Sequence, residues 1–269
     1  MNDALVIARH SLRRMRLLML VVLVVLAGFQ ILLNVAAGEL QRSNAFASFS
    51  AMMPPFMRQM FGDSMFVFMS YTGLLAFGYF HPMVVAALVG LAVALGTEPA
   101  AEVETRFLDL VLARPVARRS IVARSVLLVV VTPAIIILAM VLATLVGLRW
   151  LTPATIHLRV GLFVGLAVNL WAVVLCAGAL ALAAASIPRR RTTAAGIVTV
   201  FLLVAFLVDY LSRFWKPATR VSWLSPFHYF DATAMVMGRP LPTWHIAVLL
   251  ATAAAAIGLA FALFARRDL

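Results

Sequence analysis

The sequence has few charged side chains for its length and contains only one cysteine. Charged residues make up 12% of the 269 positions, whereas hydrophobic residues make up 64%. Soluble domains average about 25% charged residues and nearly half apolar ones, so this balance excludes an ordinary soluble protein and predicts a multi-pass membrane protein. The single cysteine, Cys176, lies within an apolar run and excludes an intrachain disulfide.

Motifs for bond-making chemistry are also missing. There is no Gly-x-x-x-x-Gly-Lys-Ser/Thr loop for nucleotide phosphates, and the only lysine, Lys216, lies late in the chain. The HExxH zinc motif and the Gly-x-Ser-x-Gly nucleophile turn are missing too. We therefore predict a non-catalytic chain that holds no cofactor of its own.

Polar residues within the apolar runs are rare, and three of them are candidates for lining a pathway or contacting another helix. We expect Asn34 and Asn169 to form hydrogen bonds between helices. Asp209 lies four residues before Arg213, so a cap or an ion pair is favoured there over proton coupling. None of the three indicates an enzyme.

Methionines crowd into residues 52–69, and thioethers are ligands for Cu(I). No cysteine or histidine lies within this cluster, and methionine also fills irregular apolar contacts. We therefore predict no metal site, and a copper-linked protein remains the narrower alternative.

The apolar runs predict an all-α protein with six transmembrane helices. A run of about 20 apolar residues crosses roughly 30 Å of hydrocarbon. The predicted spans are residues 17–37, 82–96, 121–148, 160–187, 193–211 and 245–264. His81-Pro82 divides a longer uncharged run, so we expect residues 66–80 to form a shallow or re-entrant helix.

An amphipathic helix is predicted over residues 3–16, ahead of the first span. Its arginines are suited to anionic headgroups at the membrane surface. These residues are Arg9, Arg13, Arg14 and Arg16. The alternative is an ordinary basic start before a span.

The distribution of basic residues predicts the orientation. With the N-terminus inside, 14 lysines and arginines lie on the inner side and 8 on the outer side. Positive charge favours the cytoplasmic side, so both termini are expected in the cytoplasm of a cell whose inner membrane holds the chain. The same placement explains the net charge of +12 without a nucleic-acid partner. Residues 213–244 then form the last outer segment, with tryptophans suited to the headgroup level.

Residues 98–119 form a charged segment between the second and third spans. Glu102 and Arg106 are four residues apart, as are Thr105 and Asp109, which predicts a short surface helix. Its apolar side chains include Phe107 and Leu108. A solvated loop is the alternative, but such a loop needs only a few residues. The candidate coupling residues are Glu102, Glu104, Thr105, Arg106, Phe107, Leu108, Asp109, Arg114, Pro115, Arg118 and Arg119.

This segment resembles the coupling segment of ABC-2-type permeases, the membrane subunits of ATP-binding-cassette exporters. The likeness rests on the ordered set of Glu102–Glu104, Thr105, Leu108–Leu112, Arg114-Pro115-Val116 and Arg118. Further matches are Met53-Pro54-Pro55, Phe61-Gly62, Leu224–Phe227 and the closing Phe264–Leu269. Glu104 occupies a position where the family usually has glycine.

The resemblance implies a type V exporter fold and a set of partners. Two copies of a separate ATPase would supply ATP and Mg²⁺, and a second permease copy or a close homologue would complete the membrane part. The implied function is export of a hydrophobic or amphipathic substrate by alternating access, with the second and fifth spans lining the path. The rivals are a transporter driven by an ion gradient, which would need paired carboxylates at depth, and a membrane scaffold without transport.

Overall fold

The computed structural model describes residues 3–43, 45, 48, 70–105, 118–150, 160–187 and 190–266, with the backbone alone for residues 3–14 and 118. This part of the chain is helical and contains no strand. The longer helices are α1 (Asp3–Arg42), α2 (Tyr71–Phe80), α3 (Pro82–Gly96), α4 (Glu98–Glu104), α5 (Arg118–Trp150), α6 (Val160–Ala185), α7 (Arg191–Ser212) and α10 (Thr243–Ala265). Between α7 and α10 lie α8 (Lys216–Thr219), two 3-10 turns (Ser222–Leu224 and Pro226–Tyr229) and α9 (Ala232–Val236).

Six helical stretches are long and apolar enough to cross a membrane, which confirms the predicted all-α fold of a membrane protein. These stretches are Met15–Arg42, Tyr71–Gly96, Arg119–Trp150, Val160–Ala185, Arg191–Ser212 and Thr243–Ala265. The last four agree with the predicted spans within a few residues, and Pro133 lies inside α5, which continues through it.

The first two spans differ from the sequence prediction. Helix α1 runs without a break from Asp3 to Arg42, so residues 3–16 are helical but not a separate element. In place of a boundary at His81, α2 and α3 follow each other and together form one stretch, Tyr71–Gly96, that is long and apolar enough to span; a shallow position for residues 66–80 stays a prediction. The physical reason is length, because the 15 residues of α3 rise only about 22 Å at 1.5 Å per residue.

Helix α6 forms the centre of the bundle. It packs against α3, α5, α7 and α10. Of its residues in the apolar spanning part, 67% are buried, whereas only 22% are buried in the corresponding parts of α1, α7 and α10. Its inward positions are rich in alanine and glycine, and such small side chains let helices in lipid approach closely. Helices α1, α7 and α10 consequently present broad apolar faces to their surroundings.

The connections divide between the two ends of the bundle. The turn from α3 through α4 to α5 and the turn from α6 to α7 meet at one end, where Glu104 contacts Arg191. The segment from α7 to α10 lies at the opposite end, since α7 runs the length of the bundle between them. These two ends carry different arrangements of charge.

Candidate functional site: a charged clasp

The first feature of the site is a buried ion pair between Arg124 of α5 and Glu102 of α4. Arg124 Nη1 donates to Glu102 Oε1 at 2.5 Å, and Nη2 donates to Oε2 at 2.9 Å. The side chains are 1% and 3% exposed. A guanidinium and a carboxylate match as two parallel hydrogen bonds, which fixes both position and angle. Helix α4 is therefore held against the base of α5.

The second feature joins the same segment to the start of α7. Arg191 Nη2 donates to the carbonyl oxygen of Ala94 at 3.0 Å and lies 3.6 Å from Glu98 Oε2. The backbone N–H of Arg191 donates to Glu104 Oε2 at 3.0 Å. A carboxylate at the first turn of a helix also interacts favourably with the helix dipole. Three carboxylates and two arginines thus form one cluster, here called the charged clasp: Glu98, Glu102, Glu104, Arg124 and Arg191.

Close backbone packing lies directly beside the charged clasp. Gly96 ends α3 and faces Gly178 of α6: a Cβ built on Gly96 would lie 2.6 Å from the Gly178 carbonyl oxygen. Thr97, which follows, is buried and donates its hydroxyl to the Val93 carbonyl oxygen at 2.8 Å. Because packed cores resist small displacements, this contact fixes the end of α3, where α4 begins, against α6.

The predicted coupling residues fall into four groups. Glu102 faces inward and pairs with Arg124, a partner that the spacing of Glu102 and Arg106 did not indicate. Glu104 contacts the start of α7, and the Thr105 hydroxyl donates to the Ala101 carbonyl oxygen at 2.9 Å, where α4 ends. Arg119 is exposed. The remaining members lie outside the described residues or side chains: Arg106, Phe107, Leu108, Asp109, Arg114, Pro115 and Arg118.

The candidate membrane-surface arginines give less information. Arg16 is exposed, whereas Arg9, Arg13 and Arg14 lie among the residues described by backbone alone. Their contact with headgroups stays a prediction. The methionine cluster at residues 52–69 also lies outside the described residues.

The three polar residues of the spans lie in different places. Asn34 Nδ2 donates to the Gln30 carbonyl oxygen within α1, whereas the prediction was a hydrogen bond to another helix. Its side chain instead sits against Gly147 of α5. Asn169 contacts the sulfur of Met235 at 3.9 Å. They do not converge with Asp209 on one site.

Asp209 lies near the end of α7 opposite the charged clasp. Its carboxylate is 3.6 Å from Arg213 Nη2, so the predicted ion pair is present, and 3.7 Å from His228 Nδ1. Within the described part of the chain, no group of three histidine, cysteine or acidic residues is placed to hold a metal ion.

Sequence reasoning missed Arg124 and Arg191 as members of the site. Both were counted only as charges on the inner side. A signal was available for Arg124, because it lies inside an apolar helix and a buried arginine requires a carboxylate partner. Which carboxylate it takes depends on how α4 folds across α5, and that is a tertiary property.

The fold and the charged clasp define a class of protein: a multi-pass helical membrane protein in which the polar groups of the described residues hold helices together. A comparison with protein families narrows this class to one family. Residues 10–265 match the family model described as the C-terminal domain of the multidrug efflux system permease Rv1217c. The chain belongs to this family, and it is a permease of an efflux transporter, as its resemblance to ABC-2-type permeases predicted. No curated protein matches the chain.

Proposed function

We propose that the chain is the membrane subunit of an ATP-driven exporter that moves hydrophobic or amphipathic compounds, drugs among them, across the cytoplasmic membrane. Two copies of a separate ATPase supply the ATP hydrolysis, and a second permease copy or a close homologue completes the path. The family match supports the efflux of drugs, and the absence of a nucleotide loop in this sequence supports a separate ATPase.

The observation that carries the proposal is the charged clasp. A force on residues 98–119 reaches α5 through the pair between Glu102 and Arg124, and it reaches α7 through the contacts of Arg191. The Arg191 contact with the Ala94 carbonyl oxygen adds α3, so three spanning stretches respond to one short segment. Glu102 and Glu104 act as positioning residues within the chain, and the partner is contacted by residues further along, such as Phe107 and Leu108.

The orientation follows from the same arrangement. If residues 98–119 contact a cytoplasmic ATPase, both termini also lie in the cytoplasm, because two spans precede this segment and four follow it. Arg119→Cys and Arg239→Cys variants test this in intact cells, because both positions are exposed and the native Cys176 is buried. A membrane-impermeant maleimide added outside should label the cysteine at 239 and not the one at 119; the reverse pattern contradicts the orientation.

The partner is identified by photo-crosslinking in the native membrane. Benzoylphenylalanine at position 108 should crosslink to an ATP-binding-cassette ATPase, identified by mass spectrometry. The matched control is the same amino acid at Met237, an exposed residue at the opposite end, which should give no such product. Absence of an ATPase adduct at position 108, with the efflux activity intact, contradicts the proposal.

Transport then tests the coupling itself. With the identified ATPase in proteoliposomes, Leu108→Asp should leave ATP hydrolysis largely intact and reduce ATP-dependent efflux of a hydrophobic cationic dye by at least tenfold. Phe107→Ala should act in the same direction. Full efflux by both variants contradicts the role of this segment. Efflux driven by a proton or sodium gradient without ATPase would establish the secondary transporter instead, and no flux under either condition would favour the scaffold.

A further inference from the structure

A second charged surface lies at the end of the bundle opposite the charged clasp. Residues 213–224, which follow α7, carry three cations, Arg213, Lys216 and Arg220, and no carboxylate. Large aromatic side chains stand among them and are open to the surroundings: Phe214 is 78% exposed, and Trp215 and Trp223 are each 59% exposed. We call this surface the basic aromatic platform.

The basic aromatic platform is held in a defined shape by its own hydrogen bonds. Thr219 Oγ1 donates to the Ser212 carbonyl oxygen at 3.1 Å, which ties α8 back to the end of α7. The indole N–H of Trp223 donates to the Arg220 carbonyl oxygen at 3.0 Å, and Tyr229 Oη donates to the Trp223 carbonyl oxygen at 2.9 Å. The Trp223 ring and the backbone of α8 are therefore positioned before any partner arrives, which lowers the entropic cost of binding.

Two of the three cations have no ion-pair partner among the described residues. Lys216 and Arg220 are exposed and make no such pair there. Arg213 lies 3.6 Å from Asp209. The next carboxylate along the chain is Asp231, which caps α9 by accepting the backbone N–H of Ala234. The surface consequently has an excess of positive charge and is complementary to anions.

The order of side chains along this face identifies the anion. The exposed part of α7 is apolar, with Leu207 and Leu211 outward, and beyond the end of α7 exposed aromatic residues alternate with the cations Lys216 and Arg220 as far as Trp223. A bilayer offers matching surroundings, with hydrocarbon beside the span and an interface where tryptophan and the phosphates lie close together. A protein partner fits less well, because lysine is depleted at the cores of protein interfaces.

We propose that the basic aromatic platform binds the headgroups of anionic phospholipids in the leaflet at this end of the bundle. Lys216 and Arg220 contact the phosphates and the headgroup charge, while Trp215 and Trp223 lie at the level of the glycerol backbone. The platform adjoins α7, so bound lipid holds the end of this span at a fixed depth. This inference does not rest on the ATPase partner.

The test measures lipid binding by native mass spectrometry on the purified full chain. Phosphatidylglycerol and phosphatidylcholine with the same acyl chains are titrated separately, so that only the headgroup charge differs. The wild type should bind phosphatidylglycerol more tightly. Each cation at an anionic surface contributes about fivefold in affinity, so Lys216→Gln combined with Arg220→Gln should weaken that binding roughly 30-fold and leave phosphatidylcholine binding unchanged.

The matched control is Arg239→Gln, which removes an exposed cation from the same outer segment but outside the platform. It should change phosphatidylglycerol affinity less than twofold. An equal loss of phosphatidylglycerol affinity in both variants would show that any surface charge has the same effect, and it would overturn the proposal. A wild type that binds the two lipids equally well would overturn it too. If the double variant instead changes the monomer–dimer ratio in lipid-free detergent, the platform is a contact between copies, and the lipid proposal is wrong. Unchanged circular dichroism of the variants is required before the affinities are compared.

Discussion

The two ends of the bundle differ in the surroundings of their basic side chains. At the charged clasp, Arg124 is buried and paired with Glu102, and Arg191 is held by carboxylates of the same segment. At the basic aromatic platform, Lys216 and Arg220 face outward among exposed aromatic rings. The difference arises from the carboxylates: residues 98–104 contain three and residues 213–224 contain none.

Under the two proposals above, this difference separates two tasks. Buried, bidentate pairs transmit force between helices, because their geometry is fixed and water does not screen them. Exposed cations among aromatic residues interact with a surface whose composition varies, and each contact is weak and replaceable. The clasp is therefore suited to moving helices together, and the platform to fixing where one helix ends in the bilayer.

The largest effect is expected from breaking the buried pair. Glu102→Ala leaves Arg124 buried without its bidentate partner, which typically costs about 3–5 kcal/mol. The free energy of unfolding, measured by denaturant titration in mixed micelles, should fall by that amount. Arg124→Met combined with Glu102→Leu should recover most of the loss, because a pair of apolar side chains leaves no buried charge. A loss below about 1 kcal/mol for Glu102→Ala would show that the pair is not buried in the membrane protein.

The packing beside the clasp should give the next largest effect. Gly96→Ala places a methyl group against the Gly178 carbonyl oxygen, so the backbones of α3 and α6 must separate. We expect a loss of about 1–3 kcal/mol in unfolding free energy. The matched control is Gly90→Ala in the same helix, where a Cβ meets no atom within 4 Å; it should be neutral or stabilising by up to about 1 kcal/mol through helix propensity. Equal losses for Gly96→Ala and Gly90→Ala would show that the loss arises within α3 and not from the contact between Gly96 and Gly178.

The acidic group at the other end should matter less. Asp209 lies at 3.6 and 3.7 Å from its two partners, Arg213 and His228, and those partners are themselves well exposed. Asp209→Asn should therefore lower the unfolding free energy by at most about 1 kcal/mol. A loss comparable with that of Glu102→Ala would mean that both ends hold their charges in the same way, and the comparison would fail. Thermal unfolding of the two variants in one lipid composition provides the measurement.

The sequence predicted the number of spans, because long apolar runs between charged turns depend only on composition along the chain. It did not predict the start of the second span, since His81-Pro82 looked like a boundary. His81 in fact joins α2 to α3 by accepting the Met83 N–H at 3.2 Å. Prolines at the first turn of a helix are tolerated, so the break is local.

The contacts of the charged clasp were less predictable than its location. The mixture of charges identified segment 98–119, and the spacing of Glu102 and Arg106 predicted a short helix there, but neither predicted that Glu102 pairs with Arg124 of α5. The spacing rule describes an isolated helix at the surface. The burial of Arg124 favours its pairing with Glu102, because a buried guanidinium needs a carboxylate far more than a solvated one does. Long-range pairing of this kind requires the arrangement of α4 against α5.

The smallest effect is expected at a pair that is close but exposed. Arg42 Nη1 lies 2.6 Å from Glu39 Oε1, nearer than either partner of Asp209, yet the two side chains are 59% and 64% exposed. Water screens such a pair, so Glu39→Ala should change the unfolding free energy by no more than about 0.5 kcal/mol, and added salt should change it little further. The pair is as short as the one in the charged clasp and differs from it in burial. If Glu39→Ala cost as much as Glu102→Ala, distance alone would determine these energies; we expect burial to determine them.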